Sequence, residues 1–180
     1  FEPGASAGNV YKGLDPLIEA SAQDTSINAG EMAIYNRSTT SRNQYFPGQL
    51  INAAEVSFIA SEYYLNSGDD ASAKAWYEKG IKQSIDYYYA IRALSNDNTV
   101  ASPAAPTVSE ISDYLASAGV SWAGAATNAA KLTLIATQKW IHFSVIQPYE
   151  SWAETRRLDA PSFSFITDNS AVQKTPPYSW

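Results

Sequence analysis

Two runs of helical periodicity separated by one glycine constrain this chain more than any other feature. Residues 49–65 place Leu50, Ala54, Phe58 and Ala60, with Val56, Ile59 and Tyr63, at helical spacing. Gly68 stops that run, and Asp69 or Asp70 is placed to cap a second run over 71–94. Its apolar set includes Ala73, Trp76, Tyr77, Ile81, Ile85 and Tyr88. Small residues recur where the two helices must meet: Ser61 with Tyr64 three later, then Ala73, Tyr77 and Gly80. Small side chains let antiparallel helices approach closely, and an aromatic fills the groove beside them. One such hairpin cannot bury its own core, so it needs further elements against it.

Those elements follow in order. Residues 95–106 read as a Pro- and Ala-rich linker. Thr107 and Glu110 have capping-box spacing, which predicts a short helix over 108–117 that Gly119 ends. Ser121 is predicted to cap a long helix over 122–146 with Leu132, Ile135, Ile141 and Val145 on its apolar side. Pro148 opens a shorter helix reaching Leu158. Pro3, Gly4, Gly8, Gly13 and Pro16 make the start irregular, with one helical turn near 17–22. After Pro161, Phe163 and Phe165 alternate with Ser, a weak strand signal, and the tail reads as coil. The expectation is a mainly α fold of about five helices with little or no β: one α-helical region over 1–180, irregular over 1–47, helical over 48–160 and coil over 161–180.

Charge and composition narrow the function. A net charge of -6 gives no counterion release on DNA or RNA, so no nucleic-acid partner is expected, and no polybasic membrane patch is present. With no Cys there are no disulfides, thiolate metal sites or Cys nucleophiles. One histidine, His142, leaves too few soft ligands for structural zinc, and beside Trp140 and Ile141 it reads as a packed, hydrogen-bonded side chain. Asn96-Asp97-Asn98 and Asp168-Asn169 are oxygen-rich enough for calcium, but turn formation explains both. No phosphate loop or Ser-His-Asp motif appears, and no cofactor is expected. Glycosidase chemistry needs two carboxyls about 5 Å or about 6.5–9.5 Å apart across a cleft. Asp69-Asp70 sit in a turn and Glu150 and Glu154 lie on one helix, so neither pair makes such walls. The chain is expected not to be an enzyme.

Twelve Tyr and five Trp supply rings with polar tips, suited to half-wet binding faces. Residues 35–46 gather Tyr35, Asn36, Arg37, Arg42, Asn43 and Tyr45 in one irregular stretch. Rings beside amide and guanidinium donors suit a sugar, with Trp122 as a second platform. The alternative is that these rings anchor the loop to the scaffold. Glu150, Glu154, Arg156 and Arg157 form the densest charge group. A structural role is expected for it, with the arginines and Trp152 buried and Glu55 or Glu62, seven apart on one helix face, among the acceptors.

The small-aromatic spacing of the first hairpin is that of tetratricopeptide-type repeats. Three segments together resemble the SusD/RagB family: Ala54-Glu55 with Ser61-Glu62; the helix Ala75-Trp76-Tyr77-Glu78-Lys79-Gly80-Ile81 through Ser84-Ile85; and Gln138-Lys139-Trp140-Ile141 followed by Glu150-x-Trp152-x-x-x-Arg156-Arg157 and Pro161. The match is good from Ala54 to Pro161 and weaker at the ends. The resemblance implies the C-terminal portion of an outward-facing outer-membrane nutrient-binding lipoprotein on a tetratricopeptide-like scaffold. Its partner would be a TonB-dependent SusC-like transporter and its cargo an oligosaccharide or a peptide. Membrane association would come only through an N-terminal lipidated Cys, absent from this chain, which is expected to be a piece of a longer protein. In the family the ligand loops lie largely upstream of this part. The motif residues Glu55, Glu62, Trp140, Trp152, Arg156 and Arg157 would be structural. The rival reading is a helical-repeat scaffold that binds protein or peptide.

Overall fold

In a computed structural model, which describes residues 1–163 apart from positions 3, 7, 9, 10 and 16, the helices are α1 (Ala20–Asn28), α2 (Ala53–Asn66), α3 (Asp70–Leu94), α4 (Val108–Ala116), α5 (Asn128–Phe143) and α6 (Pro148–Leu158), with a 3-10 turn at Trp122–Gly124. The only pairing of extended backbone among the described residues is an isolated antiparallel bridge, Glu2 to Ile34. The fold is mainly α, as the periodicity predicts. Two compact units are present, one containing Phe1–Asn36 and one running from Arg37 to Pro161.

The α2–α3 hairpin is the centre of the larger unit. Asn52 caps α2 by accepting from Glu55 N at 3.0 Å, and Asp69 caps α3 by accepting from Ser72 N at 3.0 Å. Gly68 turns the chain between them at φ +84°, a conformation that costs glycine little. The small residues do what their spacing requires. Ser61 is fully buried and its hydroxyl donates to Ala73 O on α3 at 2.8 Å. Gly80 lies under Phe58 so closely that an added Cβ would fall 2.6 Å from the ring. These contacts define one antiparallel hairpin and do not by themselves make a repeat. Around it, Leu65, Tyr77, Ile81, Val120, Trp122 and Ile135 complete the core.

Several boundaries differ from the sequence reading. The first helical run starts at Ala53, not residue 49, because Asn52 is the residue in position to cap. The N-terminal segment holds a nine-residue helix, α1, rather than a single turn. The expected long helix over 122–146 is shorter at both ends. Its first residues form the 3-10 turn, Thr127 supplies the cap by accepting from Ala130 N at 3.1 Å, and Ser121 makes no side-chain cap bond. Trp122 is buried at 5% exposure, with its Nε1 donating to Asp70 at 3.2 Å and its ring 5.2 Å from Tyr77. Holding that ring in the core sets the backbone before α5 begins. At the other end Ser144 takes φ +40°, which breaks the helix before Val145. The capping box at Thr107 and Glu110 and the Pro148 start of α6 agree with the sequence reading. Phe165 and Asp168-Asn169 lie outside the described residues.

Candidate functional site

Three polar constructions stand out within the larger unit, and each begins with residues on a helix or a loop that the core holds in place. The first joins α2, α5 and α6. Arg157 forms a bidentate pair with Glu62, both N–O distances 2.6 Å, and also donates to Glu154 at 2.8 and 3.0 Å. Glu154 in turn accepts from Lys139 of α5, a side chain only 3% exposed. Burial pushes the Glu154 carboxyl up, but hydrogen bonds from Arg157 and Lys139, with their charges, outweigh it and hold it below the usual carboxylate range. The same bonds, from Glu62 first, raise the Arg157 guanidinium above its ordinary value. Every carboxylate oxygen in the group already accepts from a cation, so the arrangement ties three helices and leaves no base or nucleophile.

Of the two expected acceptors, Glu62 meets an arginine and Glu55 does not; the Glu55 Oε2 accepts from Gln147 at 3.4 Å. The expected burial needs correction. The tryptophan and the arginines are not buried: Trp152 is 47% exposed, Trp140 is 42% exposed, and Arg156 and Arg157 are exposed as well. Arg156 stacks over the Trp152 ring at 5.0 Å, on the outer side of α6. The reason is geometric. Arg157 and Glu154 share the face of α6 turned to α2 and α5, while Trp152 and Arg156, four apart, share another.

The second construction is the junction at His142, which is fully buried. Its Nε2 lies 2.9 Å from Asn52 Oδ1 and its Nδ1 lies 2.8 Å from Ser84 Oγ. Asn52 Oδ1 also accepts from Glu55 N, so it has only lone pairs to offer, and Nε2 must carry the proton. Nδ1 then accepts from the Ser84 hydroxyl. Asn52 Nδ2 donates to Gln147 at 3.3 Å. One neutral imidazole thus binds the cap of α2, the middle of α3 and its own helix α5, within a ring of Phe58, Tyr87, Tyr88 and Phe143. Burial pulls its pKa down to about 4. It is a core histidine and holds no position for a ligand.

The third construction is a two-loop face at the C-terminal end of α3. Residues 37–46 form successive turns, with Arg42 N donating to Arg37 O at 2.8 Å and Phe46 N to Asn43 O at 3.2 Å. Ser38 and Asn43 are buried beneath them. Asn43 Nδ2 donates to Ile91 O at 3.0 Å, and Ser38 Oγ donates to Asp97 at 2.6 Å. Arg42 reaches across to Thr99 Oγ1 at 2.7 Å. Hydrogen bonds from Ser38 and Thr99, with the Arg42 charge, hold the Asp97 carboxyl below its ordinary value. Both Asp97 oxygens accept within the loops, which accounts for Asn96-Asp97-Asn98 as a turn, and among the described residues no acidic or histidine cluster is arranged for a metal ion. Arg37, Arg42 and Tyr45 remain on the surface, Tyr45 at 59% exposure. Tyr35, 41% exposed and 4.8 Å from Phe1, belongs to the other unit. Trp122, expected as a second platform, is removed from any surface by its burial.

The three helix segments whose sequence carries the SusD/RagB resemblance are therefore α2, α3 and the pair α5–α6, the elements locked together by the first two constructions. The family model described as SusD-like, SusD and RagB outer membrane lipoprotein, matches residues 1–177. The chain belongs to the SusD/RagB family. No curated protein and no solved structure matches it. Membership implies an outer-membrane nutrient-binding lipoprotein. No helix among the described residues of this SusD-like chain is long and apolar enough to cross a membrane.

Sequence reasoning overlooked Lys139, Arg92 and the reach of His142. A signal was present: Lys139 and Phe143 follow Ile135 at four-residue steps, and Arg92 follows Ile81, Ile85 and Tyr88 along one stripe of α3. A long cation on an apolar stripe marks a buried partner or a buried charge. An apolar groove of about 300 Å³ between α3, α4 and α5 is also present, lined by Ile81, Ile85, Pro106, Ile111, Tyr114 and Ile141 among others. Its polar lining is already engaged, Glu110 in its capping box and Gln138 with Tyr114.

Proposed function

We propose that this SusD-like protein captures an oligosaccharide, in preference to a peptide, on the outer face of the outer membrane. It passes the cargo to a TonB-dependent SusC-like transporter without covalent chemistry. The family match over residues 1–177 carries the reading. Within the chain, Arg37, Arg42 and Tyr45 are the surface residues suited to holding a sugar, with an exposed ring for its apolar C–H face and guanidinium donors for its hydroxyl rim. Tyr35, in the other unit, has an exposed ring of its own and is proposed as a separate sugar contact. The motif residues Glu55, Glu62, Trp140, Trp152, Arg156 and Arg157 are assigned to the scaffold. For Glu62 and Arg157 the bidentate pair supports that role, and for Glu55 its contact with Gln147 does.

The test is purification of the tagged protein from outer-membrane detergent extracts, followed by titration with oligosaccharides. A TonB-dependent transporter should co-purify, glycan should bind with an unchanged chain length, and Tyr45→Ala should weaken binding with folding intact. Shortened glycan products would instead mark an enzyme. Retained affinity for a peptide with none for any glycan would favour the helical scaffold.

A further inference from the structure

We propose that the two-loop face at the end of α3 is a site for an anionic oligosaccharide, one carrying carboxylate or sulfate groups. This rests on the nutrient-binding reading above and narrows its substrate class. The leading observation is Arg92. It stands in the last turn of α3, is 7% exposed, and donates from Nη2 to Val100 O at 2.8 Å. Its Nε is buried with no hydrogen-bond partner, and among the described residues no carboxylate forms an ion pair with it. The carbonyl end of the α3 dipole favours a cation there. That accounts for the sign of the charge and not for an orphaned donor, which a folded protein ordinarily pairs.

The neighbours of Arg92 add charge of the same sign. Arg92 holds Val100 O, and Arg42 holds the adjacent Thr99 side chain. Arg37 lies one turn back, with its carbonyl accepting from Arg42 N. Both Arg37 and Arg42 are exposed. Against the Arg42 and Arg92 guanidinium groups the loops set one carboxylate, Asp97, whose oxygens already accept from Ser38 and Thr99. A chain of net charge -6 therefore concentrates positive charge where it also exposes the Tyr45 ring. A neutral sugar needs only hydroxyl and amide partners beside a ring. The planar guanidinium fork matches carboxylate and sulfate oxygens, and a buried cation beneath it strengthens the field at the surface because little solvent screens it.

A glycan array with neutral, uronate-bearing and sulfated oligosaccharides, probed with the protein and with an Arg37→Gln/Arg42→Gln variant, tests this. The expected result is at least tenfold stronger signal on acidic spots than on their neutral counterparts, reduced by added salt and lost in the variant while its circular dichroism is unchanged. The uronate and sulfate spots separate the two anion sources. Arg92→Met should weaken the same signal; if that variant does not fold, the exposed pair decides alone. Equal binding to neutral glycans, or acidic binding that persists in the double variant, overturns the anionic site and leaves the nutrient-binding reading standing. Absence of binding to every glycan overturns both.

Discussion

Neutral His142 makes the stability of this protein sensitive to acid. Its folded pKa is about 4, below the ordinary value of 6.5 for an unfolded histidine. The unfolded chain therefore takes up the proton first as pH falls. The contribution is complete above about pH 6.5 and is lost between there and about pH 4, amounting to about 3 kcal/mol. The carboxyls with lowered values, Glu154 and Asp97 among them, begin to contribute only nearer the ordinary carboxylate range, so the upper part of the window belongs to His142. Urea unfolding at half-unit steps from pH 7 to pH 4.5 should show a falling midpoint, and His142→Asn should flatten the slope whatever it does to stability at pH 7. The ion-pair group supplies a second comparison at this scale. Lys139→Ala removes a buried cation but leaves Glu154 paired with Arg157 and should cost about 2 kcal/mol, whereas Arg157→Ala breaks a half-exposed bidentate pair and should cost about 1 kcal/mol. Arg156→Ala, which loses a ring contact on the outer side of α6, should cost less still. Thermal melts of the three variants give the order directly.

The elements differ in what starts and holds them. The cap of α5 is Thr127 and not Ser121, so Thr127→Ala should lower stability by about 1 kcal/mol and Ser121→Ala by much less. The approach of α2 to α3 depends on Gly80. An alanine there would place its Cβ 2.6 Å from the Phe58 ring, and the helices must part or the ring must turn. A loss of about 1–3 kcal/mol is expected from Gly80→Ala in denaturant unfolding. At Gly124 the nearest atom to an added Cβ is 3.8 Å away, so Gly124→Ala makes a control without a clash. These elements were legible in outline from sequence because periodicity, caps and stops act over a few residues. Asp69, Thr107 and Pro148 mark helix starts by local chemistry. The start of α5 was not legible, because Ser121 and Thr127 are both good caps and the burial of Trp122 chooses between them.

At the scale of the larger unit, the α2–α3 hairpin is the most extensively packed part and α4 the least packed helix, with no buried residue of its own. Local opening follows packing. Amide exchange should therefore be slowest in the facing turns of α2 and α3 and fastest, among the helices of the larger unit, in α4. Protection of α4 equal to that of α3 would show that the groove beneath it is closed more firmly than its contacts suggest. The two-loop face lies on the well-packed side of this division, since Asn43 ties it to the end of α3 and Ser38 ties its two loops together. Arg37, Arg42 and Tyr45 are thus displayed by a braced loop, which limits the ordering entropy a ligand must overcome.

The sequence by itself determined the helical class, most of the helix starts and the membership of the SusD/RagB family, because these are carried by residue spacings that survive without knowledge of any neighbour. It also placed Arg37, Arg42 and Tyr45 in one loop. Tertiary structure alone decided burial. Trp122 went into the core and Trp152 stayed at the surface, though both are tryptophans near helix starts. Glu62 found Arg157 while Glu55, seven residues earlier on the same helix, met Gln147. Lys139, His142 and Arg92 became interior polar groups. Whether a side chain is covered depends on which distant element packs over it, and that follows from how all the helices fill space together rather than from any stretch of sequence read alone.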